Sequence, residues 1–165
     1  MAKEPKKLDE LFHDTLKDIY FAEKKILTTL PKMAKAAQSE ALRAAFEKHE
    51  AETEEQVGRL EQVFAAIDKK PQGKTCAAIV GITEEGAEIM MEYKGSPALD
   101  AGLLAAAQAV EHYEISRHVH FELQLLGFGP RLAGHFRGTF NEPCAPKFLS
   151  ISSPLSRHGL RQHCP

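Results

Sequence analysis

Glutamates and one histidine interrupt the apolar faces of several predicted helices, at positions that a helical bundle would bury. Glu23 lies in the middle of one such face, His49 and Glu52 lie in a second, and Glu111 and Glu114 lie in a third. A buried carboxylate costs several kcal/mol unless it is protonated, hydrogen-bonded or bound to a metal ion. Because the pattern recurs on three helices, it indicates a shared polar site more than isolated surface residues.

The spacing also places these residues at one height in a bundle. If the first two helices fold back near residue 38, Glu23 lies 15 residues before the turn and Glu52 lies 14 residues after it. His49 then lies one turn from Glu52 on the same helix face. We therefore expect the carboxylates of Glu23, Glu52 and Glu111 to converge.

Carboxylates and an imidazole from facing helices are the ligands with which a bundle holds two iron or manganese ions. The usual motif is Glu-x-x-His, whereas this chain has the reverse order, His49-x-x-Glu52. Two interpretations stay open: a di-metal site, or a polar core whose carboxylates are protonated or hydrogen-bonded. The sequence has no P-loop and no G-x-S-x-G motif, so nucleotide binding and serine hydrolysis have no support.

Four predicted helices with short connectors would position these residues. Apolar residues recur at spacings of three and four, and breaks are predicted near residues 38, 71 and 95. Pro31 predicts a kink or a break late in the first helix. The fourth helix should run from Pro97 to at least Ser116. No alternating β pattern competes, so the sequence predicts an all-α, antiparallel helical bundle.

Composition is that of a globular domain. The chain has 165 residues, of which 43% are apolar and 27% are charged, and this length suffices for one buried core. No run approaches the roughly 18 apolar residues of a membrane span, and the N-terminus does not read as a secretory signal. Three cysteines, an odd number, favour a reducing compartment, so we expect a cytoplasmic protein.

The chain changes character after Ser116. Residues 1–116 hold 15 basic and 21 acidic residues, whereas residues 117–165 hold six basic and two acidic residues and five of the eight histidines. Gly or Pro recurs every few residues in the second part, which predicts a helical domain over 1–116 and an irregular tail over 117–165. The basic residues are scattered, which disfavours nucleic-acid binding, and His118-x-His120 predicts weak metal binding at most.

Three stretches resemble the YciE/YciF family of bacterial ferritin-like proteins: YFAEKKILTTLPKMAKAA, AFEKHEAETEEQVGRLEQVF and AGLLAAAQAVEHYEIS. The resemblance covers about residues 8–116. It implies a ferritin-like fold, a homodimer, an association with stress responses, and a ferroxidase-like activity that oxidises Fe(II) or consumes peroxide at two iron or manganese ions. The implied metal ligands are Glu23, His49, Glu52, Glu111 and Glu114, with Glu85 as a further candidate.

The alternative function is non-catalytic: a helical structural or stress protein that dimerises through its bundle. The resemblance stops where Arg117-His118 replaces the Tyr-Gly pair that family members have, and where their long final helix should follow. We interpret this change as the product of a shifted reading frame, with a functional basic tail as the alternative. The bundle would then be incomplete at its C-terminus, with no long helix after about Gly127 and with weakened metal binding.

Overall fold

Four α-helices in series make up the part of the chain that the computed structural model describes, residues 6–127 without the side chains at 122 and 125–127. Their bounds are α1 Leu8–Ala36, α2 Glu40–Ala66, α3 Ala77–Glu92 and α4 Leu99–Gly127. Residues 6–127 contain no strand, so the all-α prediction and the three predicted breaks are confirmed. No helix in this range is long and apolar enough to cross a membrane.

The connector between α1 and α2 is clamped by α4. Asp100, in the first turn of α4, accepts hydrogen bonds from the backbone N–H groups of Gln38 and Ser39, each 2.8 Å long. Ser39 is the N-cap of α2, and its side chain makes no capping hydrogen bond, so the Asp100 carboxylate holds the connector through backbone N–H groups that precede the helix. A connector this short makes α1 and α2 antiparallel neighbours. The clamp thus sets the height of α4 against the α1–α2 hairpin.

Local backbone chemistry explains where the helices end. Gly95, just after α3, has a φ of +76°, a left-handed conformation that glycine adopts without strain. Asp68 has a φ of 54° after α2, a position that Asp and Asn tolerate better than other residues. Pro31 lies inside α1 and does not break it, because the helix continues to Ala36.

Two apolar clusters fill opposite ends of the bundle. The cluster near the α1–α2 turn includes Ile26, Phe46 and Val110, and it also takes in residues of α3. The cluster at the other end is made by Phe12, Leu16, Ile19, Leu60, Val63, Phe64 and Phe121. On α1, α2 and α4, the residues between these clusters include buried glutamates and histidines. The apolar clusters therefore enclose a polar layer at mid-height.

Helix α4 continues beyond Ser116, through residues 117–127 that the sequence assigned to an irregular tail. The reason is that the buried face persists: His118 and Phe121 follow Glu114 at the helical spacings of four and seven. Phe121 stacks on Phe12 of α1 with ring centroids 5.0 Å apart. Residues 128–165, and with them the prediction of no long helix after Gly127, lie outside the described residues.

Candidate functional site

Two buried pairs of a histidine and a glutamate form the centre of the polar layer. His118 Nε2 on α4 lies 2.7 Å from Glu23 Oε1 on α1, and His49 Nε2 on α2 lies 3.1 Å from Glu114 Oε2 on α4. All four residues are at most 4% exposed. The two pairs therefore connect three helices through groups that are removed from water.

The electrostatics tie these four groups together. Burial raises the pKa of Glu23 above its ordinary value, and the nearby carboxylate of Glu114 raises it further. The hydrogen bond with His118, and the charges of His118 and His49, act in the opposite direction. Since one carboxyl group responds to the other three groups, the pairs form a single cluster. A raised pKa means that Glu23 keeps its proton to higher pH than a carboxyl group in water does.

The remaining predicted ligands differ in how deeply they are buried. Glu111 is buried on α4, one turn before Glu114. Glu52 is at the edge of the layer: its side chain is 29% exposed and its Oε1 lies 3.8 Å from Lys48 Nζ, while its Oε2 is buried. Glu85 is exposed on α3, which buries Ile79, Thr83 and Gly86 instead. Glu23, His49, Glu111 and Glu114 thus share the buried layer, and Glu85 does not belong to it.

His118 is the site residue that the sequence analysis missed. The change of composition after Ser116 placed this histidine in the tail, where scattered histidines carry little information. The available signal was its spacing, four residues after Glu114, which puts both side chains on one helix face. Its bond to Glu23 makes the start of the supposed tail part of the bundle core.

The donor chemistry of the layer fits a first-row metal such as iron or manganese, since carboxylate oxygens and imidazole nitrogens are its usual ligands in bundles. Glu23 Oε2 is buried and has no hydrogen-bond partner among the described residues, so one carboxylate oxygen is available. Within residues 6–127, however, no three His, Cys, Asp or Glu side chains already surround one point as metal ligands would. The donors are held in pairs, and a metal ion would have to replace the protons they share.

A second contact joins α3 to α4 close to this layer. Cys76 Sγ, at the N-terminus of α3, lies 3.2 Å from the Tyr113 hydroxyl on α4. Burial raises the pKa of Tyr113 strongly, and the hydrogen bond with Cys76 adds to the effect, so the hydroxyl stays protonated. The Arg117 guanidinium lies over the same ring, 5.2 Å from its centroid. Cys76 is thus a buried thiol with a structural contact.

One protein family matches most of the chain that the structure describes. The family profile described as a domain of unknown function, DUF892, matches residues 7–120. The chain belongs to this family. The matched range extends past Ser116 and includes His118, which agrees with its place in the core of this DUF892 bundle.

Individual relatives of the DUF892 chain are similar in sequence and in fold. Protein YciF of Escherichia coli K12 is 38% identical over 114 residues, which is 68% of this chain and 69% of YciF. The crystal structure of the E. coli stress protein YciF superimposes with a TM-score of 0.80 at 32% identity, covering 90% of this chain and 96% of that one. YcfI of Rhodopseudomonas palustris, proposed to be a structural protein, gives a TM-score of 0.78 at 32% identity, with coverage of 97% and 99%.

Proposed function

We propose that the polar layer of this DUF892 bundle binds two iron or manganese ions. The observation that carries the proposal is the pair of buried histidine–carboxylate contacts on three helices, with a further buried glutamate one turn away. The proposed ligands are Glu23, His49, Glu52, Glu111, Glu114 and His118. Replacing the shared protons with metal charge would relieve the burial of several carboxylates at once.

Such ions, when bound, supply the redox chemistry by which ferritin-like sites oxidise Fe(II) or consume peroxide. The chain's own residues prepare the site for that chemistry. Burial and Glu114 raise the pKa of Glu23, so its carboxyl group keeps a proton to higher pH than a free carboxyl group and would release that proton when a cation binds. His49 and His118 present Nε2 toward the layer, and the apolar clusters on both sides keep bulk water out.

Metal titration tests the proposal directly. The full chain, freed of metal with a chelator, is titrated with Fe(II) or Mn(II), and bound metal is counted after desalting. We expect about two ions per chain. Glu23→Ala and His118→Ala should each lower that number, whereas Glu85→Ala should leave it unchanged because Glu85 is exposed. If the unchanged chain retains no metal after reconstitution, the metal-site proposal fails.

The second candidate function is that of a non-catalytic helical structural or stress protein. It is favoured by the same pairs, because His49 with Glu114 and His118 with Glu23 already satisfy each other in part without metal. Such contacts would set the register of the helices. The description of YciF as a stress protein and of YcfI as a proposed structural protein supports this role as well as it supports the first.

We also propose that the chain forms a homodimer in the cytoplasm. The support for a dimer is an apolar groove on the outer face of α4, lined in part by Ile115, Val119 and Leu123, of which the last two are 51% and 62% exposed. Exposed apolar residues that cluster mark interaction surfaces. Sedimentation velocity should report twice the chain mass, and Val119→Glu with Leu123→Glu should shift it to a monomer. A monomeric unchanged chain would contradict this.

A further inference from the structure

Thr53 differs from three other helical threonines of this protein in the hydrogen bonding of its hydroxyl. It is fully buried on α2, one turn after His49, and its hydroxyl has no hydrogen-bond partner among the described residues. Helical threonines commonly donate to a backbone carbonyl three or four residues earlier. Thr28, Thr29 and Thr83 all do so here, with distances of 2.8 to 2.9 Å. The Thr53 hydroxyl is therefore available for a partner outside its own helix.

Glu23 Oε2 is a second available atom at the same height. Its side chain is 2% exposed, and only its other oxygen, Oε1, contacts His118. Glu23 and Thr53 lie 15 residues before and after residue 38, which places them at the same level of the antiparallel hairpin that α1 and α2 form. Gln56, one turn further along α2, also has a buried side-chain oxygen without a described partner.

A buried polar atom that bonds to neither protein nor water is unfavourable, and ordered water commonly satisfies buried polar atoms that no protein group reaches. A water site needs a polar surrounding that offers two to four hydrogen-bonding groups. Thr53 offers a donor and an acceptor, Glu23 offers a carboxyl oxygen, and Gln56 offers an amide oxygen. Thr53 and Glu23 at one level of the α1–α2 hairpin, with Gln56 one turn further along α2, offer the number of groups that such a water needs.

We propose that the Thr53 hydroxyl and Glu23 Oε2 flank a binding position for a small molecule with O–H groups, which both donates and accepts hydrogen bonds. Water occupies this position in the resting protein. Hydrogen peroxide is the substrate that it fits, and this second statement rests on the proposed metal function. Thr53 is then a positioning residue for peroxide.

The water position is tested in the metal-free full chain by the sign of a stability change. Thr53→Val keeps the side-chain shape and removes the hydroxyl. If the Thr53 hydroxyl binds a water, the equilibrium constant for unfolding of Thr53→Val should be about fivefold larger than that of the unchanged chain. If the hydroxyl is unsatisfied, the variant should become more stable, which would overturn the proposal. Thr83→Val is the matched control, since the Thr83 hydroxyl contacts helix carbonyls that are already bonded.

A crystal structure and peroxide kinetics complete the test. Electron density for a water within hydrogen-bond distance of Thr53 Oγ1 and Glu23 Oε2 is expected in the unchanged chain and in Thr53→Ser, and its absence from both overturns the proposal. In the Fe(II)-loaded chain, Thr53→Val should raise the KM for hydrogen peroxide several-fold with little change in kcat, and Thr53→Ser should restore it. An unchanged KM would refute the peroxide role alone. A chain that binds no metal would refute the metal function, while the metal-free measurements still decide the water position.

Discussion

Removing His118 should destabilise the bundle because it leaves the buried Glu23 carboxyl group without its hydrogen-bond partner. His118 is 4% exposed and bonds to Glu23 over 2.7 Å, and Glu23 itself is 1% exposed. Taking one partner from a buried pair typically costs about 3–5 kcal/mol. Glu23 can take up a proton, since its pKa is already raised, so we expect the lower end, about 3 kcal/mol for His118→Leu at neutral pH. This corresponds to a fall in Tm of roughly 10 °C.

Replacing both partners should recover most of this loss. A buried pair exchanged for apolar residues of similar volume is often neutral or stabilising. Glu23→Leu combined with His118→Leu should therefore lie within about 1 kcal/mol of the unchanged chain. The assay is urea unfolding of the metal-free protein, followed by circular dichroism, with His112→Leu as the control because His112 is exposed on the same helix.

Two outcomes would refute this reasoning. If His118→Leu is as stable as the unchanged chain, the part of α4 after Ser116 does not contribute its buried pair to the fold. If the double variant is less stable than either single variant, the loss in His118→Leu does not come from an unpartnered carboxyl group at Glu23.

Three further predictions concern the site and the helix contacts. The free energy of unfolding of Glu23→Gln, relative to that of the unchanged metal-free chain, should increase as the pH rises above about 4.5. The pKa of Glu23 is raised in the folded state, so its contribution to stability is present at lower pH and is lost as the carboxyl group ionises in the folded protein. A difference in urea unfolding that stays constant across the pH range would contradict this. Gly102→Ala should lower the free energy of unfolding by about 1–3 kcal/mol, because the added Cβ would lie 2.7 Å from Ile89 Cγ2. Gly58→Ala has open space around it and should raise the free energy of unfolding by about 0.5–1 kcal/mol. Equal effects of the two variants in thermal unfolding would contradict this. Asp100→Ala should lower the free energy of unfolding by about 2 kcal/mol, because two backbone N–H groups lose their hydrogen bonds. Amide hydrogen exchange at the α1–α2 turn should become faster in this variant. Unchanged protection there would show that the contact with Asp100 is not needed.

The helices and most of the buried polar layer could be predicted from the sequence because both depend on local periodicity. A helix repeats every 3.6 residues, so the apolar spacing predicts which face is buried, and Glu23, His49, Glu111 and Glu114 lie on such faces. Equal distances from the turn near residue 38 likewise predict which residues of α1 and α2 share a height. These relations involve one helix, or two helices joined by a short connector.

Tertiary structure alone decided which of these side chains meet. The bond between Glu23 and His118 joins residues 95 positions apart, and no local spacing specifies such a partner. The same is true of Asp100 at the α1–α2 turn and of Glu85, whose helix has apolar spacing on more than one face but buries Ile79, Thr83 and Gly86. Residues 117–127 have weak helical signals of their own, and α4 continues through them because α1 and α2 offer Phe121 and His118 a place to be buried. Burial against a partner helix outweighs local preference there, since packing supplies more free energy than intrinsic helix propensity.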